Sequence, residues 1–132
     1  MATINLTGLL KDFQVHQGND IIAYMELYNS DGSRLDMTGW TLVSEMRYAT
    51  NGRVAITCTL ANGYLSWTEQ NEGKFRLHIP ASATTGLLYS KDDLENLDLL
   101  YDIEVDSNED VPGRFKPFYG TISLMREQTR IA

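Results

Sequence analysis

Apolar and polar residues alternate with a period of two along most of the chain. This spacing is typical of β-strands, because successive side chains of a strand point to opposite faces of a sheet. Two clear examples are "KFRLHIP" and "LLYDIEVDS", with the inward residues Phe75, Leu77 and Ile79, and Tyr101, Ile103 and Val105. Turn sequences recur at intervals of roughly 8–12 residues, without the rhythm of strand, helix and strand. We therefore predict an all-β fold, an Ig-like antiparallel β-sandwich of about eight strands.

The run "DIIAYMELYN" has apolar residues on both faces. Ile21 and Met25 share one face with Leu27, whereas Ile22 and Tyr24 lie on the other. Strands that are covered on both faces carry this kind of pattern. We expect this strand to be central in its sheet.

Two Asn-Gly pairs predict tight turns in the middle of the chain. Asn51 and Gly52 follow a run from Trp40 to Tyr48 whose apolar face is interrupted only by Ser44, and they suit a type I′ hairpin turn. Asn62 and Gly63 have the same chemistry and predict a further hairpin into "YLSW".

The last third of the chain predicts one short helix and a long final strand. The segment "ASATTGLLYSKDDLENLD" is compatible with one or two helical turns. In "RFKPFYGTISLM", Pro117 and Gly120 imply either an edge position or a bulge. We treat residues 1–132 as a single domain and expect mobile segments at "MATINLTGLLKDF" and "REQTRIA".

Composition narrows the possible partners of this domain. The 132 residues carry 11 basic and 18 acidic side chains, for a net charge of −7, and the basic residues are scattered. This charge argues against nucleic acid as a partner, and no apolar run reaches the roughly 18 residues that span a bilayer. We expect a protein made in the cytoplasm without export. The single cysteine, Cys58, is expected to be a small buried hydrophobic residue.

The chain shows no catalytic motif. Its two histidines are His16, beside the first turn, and His78, on the polar side of a strand. Acidic pairs such as Asp92 with Asp93 lie in a loop, where solvation explains them. We predict that the protein is not an enzyme and uses no cofactor.

Calcium is the more serious hypothesis for a ligand site. The stretches "NSDGSRLD" and "DSNED" each offer several oxygen ligands, but neither matches the twelve-residue calcium loop with its closing Glu. Short oxygen side chains in turns commonly accept backbone hydrogen bonds instead. We expect Asp31 and Asp36 to shape turns, with Asp36, Thr38 and Gly39 delivering Trp40 into the core, and we assign no metal site.

Aromatic residues leave a second alternative open, a carbohydrate-binding module that stacks exposed rings on sugars. Trp40 and Trp67 are in register with apolar neighbours, so core packing is favoured for both. Tyr24 and Tyr28 share a half-apolar face that suits contact with a partner protein equally well.

In order along the chain, the pieces "HQGND", "NSDGSRLDMTGW", "SEMRYATNGRV", "ANGYLSW", "EGKFRLHIPASATTGLL", "YDIEVDS" and "FYGTISLMREQTR" resemble a family of small bacteriophage virion β-sandwich domains. Related domains stand at the N-terminus of phage baseplate upper proteins and in tail-associated and fibre-associated proteins. The resemblance extends from about Gln17 to Arg130, and "YSKDDLENLD" departs from it as an insertion. Most of the shared motifs are turns and core positions.

This resemblance implies a structural role in the virion, without catalysis and without a cofactor. The partners would be other virion structural proteins, bound in multiple copies, in an adaptor of the tail, baseplate or collar that docks fibres or neighbouring proteins. Assembly would take place in the host cytoplasm. From strand faces and chain ends, we expect partner contacts at Tyr24, Tyr28, Tyr119, Arg126 and Arg130.

Overall fold

The computed structural model describes residues 9–10, 13–16, 18–49, 52–85, 87 and 97–125. These ranges contain a 3-10 turn at Gln70–Glu72, the five-residue helix α1 at Ala81–Thr85, and nine strands, of which the first is only two residues long. The strands are β1 (Leu9–Leu10), β2 (Phe13–His16), β3 (Ile21–Glu26), β4 (Thr41–Tyr48), β5 (Val54–Thr59), β6 (Leu65–Glu69), β7 (Lys74–Ile79), β8 (Leu97–Asp106) and β9 (Arg114–Met125). The predicted all-β fold with one short helix is confirmed.

The strands form two sheets that pack as a sandwich. The larger sheet has the order β1-β9-β8-β4-β5, with β2 also paired to β9, and the smaller sheet has the order β3-β7-β6. Pairing is antiparallel except that β1 and β2 run parallel to β9. Three strands in one sheet, facing a sheet built on the adjacent strands β9, β8 and β4, correspond to the Ig-like arrangement that the pattern predicts.

The core lies between the sheets and consists of the inward residues that alternation identifies. Phe75 is fully buried and makes edge-to-face contact with Phe118 of the opposite sheet, with ring centroids 6.0 Å apart. Trp40 is buried against Phe115 in the same geometry at 6.1 Å. Burial of each such ring contributes roughly 1.5–3 kcal/mol to folding, and the edge-to-face geometry adds to this. Of these two contacts, the one between Phe75 and Phe118 joins the two sheets.

Ser44 interrupts the apolar face of β4 without leaving a polar group unpaired. Its side chain is buried, and its hydroxyl donates to the carbonyl oxygen of Asp102 on the neighbouring strand at 2.5 Å. A buried hydroxyl costs little once it is hydrogen-bonded, so the core tolerates this serine.

The expectation that the run "DIIAYMELYN" forms a central strand is wrong. Within the described part of the chain, β3 pairs only with β7 and is an outer strand of the smaller sheet. Its second face is uncovered: 71% of Tyr24 and 50% of Ile22 are exposed. The apolar residues of this face therefore lie on the surface.

The two Asn-Gly pairs have different outcomes. The first lies in a β4–β5 hairpin, as predicted, and Gly52 has a φ of 71°. The Gly52 N–H donates to the Tyr48 carbonyl at 2.8 Å, so the reversal is longer than a two-residue turn; Asn51 lies outside the described residues. The second prediction is wrong, because Asn62 and Gly63 connect β5 of the larger sheet to β6 of the smaller sheet. This turn is a corner between sheets.

The final strand β9 is not an edge strand, since it pairs with β8 on one side and with β1 and β2 on the other. The alternative interpretation, a bulge, is confirmed: the β8–β9 register shifts between the pairs Ile103–Phe118 and Val105–Phe115, next to Pro117. The N-terminal strands that cover β9 were not predicted. Residues 1–8 and 126–132 lie outside the described ranges. No helix within those ranges is long and apolar enough to cross a bilayer.

Candidate protein-docking face

The acidic residues of "NSDGSRLDMTGW" form turns, as predicted. One Asp31 carboxylate oxygen accepts from the Ser33 N–H at 2.9 Å and from the Ser33 hydroxyl at 2.6 Å. Asp36 repeats this arrangement with Thr38, at 3.0 and 2.6 Å. These bonds lower the pKa of both aspartates, with the side-chain hydroxyl as the largest cause. Both carboxylates are therefore engaged by hydrogen bonds within their own turns.

The corner at Asp36 places Trp40 in the core. The Trp40 N–H donates to the Met37 carbonyl at 3.0 Å, and Gly39 has a φ of 82°, a left-handed conformation that suits glycine at the third position of the turn. Met37 is fully buried, and its backbone exchanges two 3.0 Å hydrogen bonds with Gln70. The corner is thus fixed to the 3-10 turn that follows β6.

The histidines and acidic loops take part in local contacts. His78 lies 2.8 Å from the carboxylate of Asp20, which also accepts from the N–H of Ala81 at 2.8 Å. The His78 contact and then the Ala81 bond lower the pKa of Asp20. Asp106 accepts from the Asn108 N–H at 2.8 Å in the stretch "DSNED". In the part of the chain that the structure describes, no three His, Cys, Asp or Glu side chains form a group able to hold a metal ion.

Neither tryptophan forms a sugar-stacking platform. Trp40 is buried, and Trp67 is half-buried with its ring packed edge-to-face on Phe75 at 6.2 Å. The core role favoured for both residues is confirmed.

The outer face of the smaller sheet carries an exposed apolar and aromatic surface. Cross-strand register pairs Ile22 with His78, Tyr24 with Arg76, and Glu26 with Lys74. We call these six residues, together with Ser66 of β6, which pairs with Arg76, the β3–β7–β6 face. Because side chains of paired residues stand side by side on a sheet, Ile22 lies next to a histidine and Tyr24 next to an arginine.

Tyr28 extends this face at the end of β3. Its hydroxyl contacts the Glu26 carboxylate and accepts from Arg34 at 2.9 Å, and the Arg34 guanidinium lies 5.0 Å from the centre of the Tyr28 ring. The hydrogen bond to Glu26 raises the pKa of Tyr28 and lowers that of Glu26. Tyr28 is therefore held in place by neighbours, whereas Tyr24 presents a larger exposed area.

Arg76 is the exception among the basic residues of the described chain. Its side chain is half-buried in the middle of the face, and its Nε is buried without a hydrogen-bond partner. Neighbouring Lys74, by contrast, lies 3.7 Å from both Glu69 and Glu72. The strand pattern indicated only that Arg76 points outward, and nothing in the sequence signalled that it lacks a partner.

The third predicted tyrosine lies elsewhere. Tyr119 is 46% exposed on β9, in the other sheet, so the predicted contact residues do not form one site. On that sheet's outer surface a shallow groove of about 230 Å³ is lined by residues that include Glu45, Arg47, Asp102 and Lys116. Arg47 pairs with Glu45 at 3.0 Å and Lys116 with Asp102 at 3.2 Å. Arg126 and Arg130 lie outside the described residues.

No protein-family model matches the chain, and no curated protein matches it in sequence.

Proposed function

We propose that this protein is a non-catalytic structural component of a bacteriophage particle, an adaptor domain of the tail, baseplate or collar that docks neighbouring virion proteins. The observation that carries the proposal is the β3–β7–β6 face. It combines a strongly exposed tyrosine and an exposed isoleucine with an arginine that has no partner within the described residues. Tyrosine and arginine are enriched where proteins meet, because both combine large contact areas with polar groups.

The sequence resemblance supports the same proposal. The elements that carry it, such as the "LDMTGW" corner and the "YDIEV" strand, form turns and core positions of the sandwich. They account for a stable frame and leave the outer faces free for contacts. A closed core with an exposed apolar face suits a part that is built into a larger assembly.

Co-expression with the proteins encoded beside its gene, followed by size-exclusion chromatography, tests this function. We expect a stable complex, and mass spectrometry of purified phage particles should detect the chain in several copies. Tyr24→Ser should weaken incorporation about tenfold, because a central aromatic contact contributes much of an interface's binding energy. Val111→Ser is the matched control: it removes an 81% exposed apolar side chain from the β8–β9 connection and should leave incorporation unchanged. A chain that stays monomeric and absent from particles would overturn the proposal.

A further inference from the structure

We propose that the β3–β7–β6 face binds an acidic segment of a partner protein, with Arg76 as the residue that receives an Asp or Glu carboxylate. This inference rests on the proposed docking function and adds the chemistry of the partner. It follows from the ion pairs of the other basic residues, from the burial of Arg76 and from the residues that surround it.

Most of the other basic residues that the structure describes form ion pairs. Arg34, Arg47, Lys74, Arg114 and Lys116 each lie within 4.0 Å of a carboxylate oxygen. Arg53 also has an interaction partner. Among the basic residues that the structure describes, the Arg76 side chain alone has neither an ion pair nor a hydrogen bond. Within the described ranges, one cation is thus left without a counter-ion, and it lies on a partly exposed face.

Burial makes the missing partner of Arg76 energetically costly. The Nε of Arg76 is buried and has no acceptor among the described residues, which is unfavourable because a buried N–H loses its hydration without replacement. Buried polar groups are nearly always paired, so an unpaired one in a folded protein calls for a specific reason. The Nε itself is closed to a partner, but the two terminal NH₂ groups of the same guanidinium are not among the buried unpaired atoms and could receive a carboxylate from outside the chain.

The residues around the Arg76 guanidinium indicate which partner segment would fit. In its cross-strand row Arg76 lies between Tyr24 on β3 and Ser66 on β6. Exposed Ile22 lies in the next row, beside His78. Within the described residues, the neighbouring carboxylates are all engaged: Asp20 by His78, Glu26 by Arg34, and Glu69 and Glu72 by Lys74. The face therefore offers one unpaired cation beside exposed apolar and aromatic side chains. It matches a segment in which an Asp or Glu stands next to an aliphatic or aromatic residue.

Arginine suits this task because its planar guanidinium binds a carboxylate through two parallel N–H donors. Exclusion of water by Tyr24 and by the partner's apolar side chain would strengthen the ion pair, since screening is weaker away from solvent. The preference for acid over amide should therefore be strong.

Peptide binding tests the inference. We would measure fluorescence anisotropy with eight-residue peptides that carry one central Glu or Asp between Leu, Ile or Phe, and with identical peptides that carry Gln or Asn instead. At least one acidic peptide should bind, and its amide counterpart should bind tenfold or more weakly. Arg76→Met should abolish this preference, whereas Arg47→Met, with the same loss of charge on the other sheet, should change affinity less than twofold. Equal binding of acid and amide peptides, unchanged binding by Arg76→Met, or no binding of any acidic peptide would overturn the inference.

A stability measurement separates binding from folding. Because Arg76→Met removes a buried unpaired N–H, its urea midpoint should equal or exceed that of the wild type, whereas a structural role would lower it. Arg76→Lys is the second variant if Arg76→Met does not fold: it keeps the charge but loses the two parallel donors, so it should show a weaker preference for acidic peptides, and an unchanged preference would contradict the inference. The proposed function fails separately: wild-type chain absent from particles contradicts the function, whereas Arg76→Met chain that incorporates normally contradicts only this inference.

Discussion

Asn62 donates its side-chain N–H to the carbonyl oxygen of Thr57 at 2.8 Å, and its side-chain oxygen accepts from the Thr59 N–H at 3.0 Å. One amide group thus satisfies an acceptor and a donor of β5, which among the described strands pairs only with β4. Unpaired groups of an outer strand invite pairing with another chain, and proteins commonly block them. Asn62 covers part of this edge while it also forms the corner between the sheets.

Substitution of Asn62 should separate these two roles. Asn62→Ala loses all of these side-chain bonds, and we expect it to lower the free energy of unfolding by about 1–3 kcal/mol and to promote oligomers. Asn62→Asp keeps the acceptor for the N–H groups of Thr59 and Tyr64 but cannot donate to Thr57. It should be destabilised yet remain monomeric, because a charge at an edge discourages pairing. Urea denaturation and light scattering measure both effects, and equal aggregation of the two variants would contradict the edge role.

Gly73 should be the least replaceable glycine of the described turns. A Cβ at this position would lie 2.5 Å from the Leu27 carbonyl oxygen and 2.9 Å from that of Leu35, and φ is +73°. We expect Gly73→Ala to lower the free energy of unfolding by about 3 kcal/mol or more, because clash and backbone strain add. Gly63→Ala is the control: φ is similar at +81°, but the space is open, so the loss should be about 1–2 kcal/mol. Similar losses in urea denaturation would show that the close approach does not matter.

Asp36 should make part of the stability dependent on pH. Its pKa lies below the ordinary value of 3.8, so its charged form favours the folded state. That contribution is fully present above about pH 5 and is lost as pH falls through the lowered pKa. Asp36→Ala should therefore have a lower urea midpoint than the wild type at pH 7, and this difference should shrink at pH 2.5. Asp36→Asn keeps an acceptor oxygen without a charge and should vary less with pH than the wild type. A gap between Asp36→Ala and wild type that is the same at both pH values would contradict this explanation.

Cys58 should be chemically silent in the folded protein. It is fully buried, and burial raises the pKa of its thiol to about 12. Because the thiolate is the reactive form, labelling by a disulfide reagent at pH 8 should be slower by roughly 100-fold or more than in 6 M guanidinium chloride. Fast labelling of the native protein would show that the thiol is accessible. Cys58→Ser should also destabilise more than Cys58→Ala, since an unpaired hydroxyl would enter the core.

Alternation predicts which side of a strand faces the core but not which strands are neighbours. The inward positions Phe75, Leu77 and Ile79 follow directly from a period of two, because the sandwich has one core. The edge position of β3 could not be recognised in this way. A strand with apolar residues on both faces is buried on both in most sheets, yet here the outer face that holds Tyr24 is open.

Turn chemistry has a similar limit. An Asn-Gly pair predicts that the chain reverses, and both pairs lie at reversals. Whether the following strand pairs with the preceding one or crosses to the other sheet depends on long-range packing. The candidate site has the same limit: alternation places Tyr24 and Arg76 on the outer side of their strands, but the exposure of Tyr24 and the missing partner of Arg76 depend on where the other strands and the nearby carboxylates lie.

The parallel pairing of β2 with β9 has a consequence for synthesis. Phe13 is opposite Ile122, and His16 is opposite Met125. The ribosome makes these partners about a hundred residues apart, so β2 has to wait until β9 has left the exit tunnel. The larger sheet can therefore close only after β9 has been synthesised, and β1 and β2 stay without their partner until then. Chaperones that hold nascent chains thus have a long interval in which to bind these two strands.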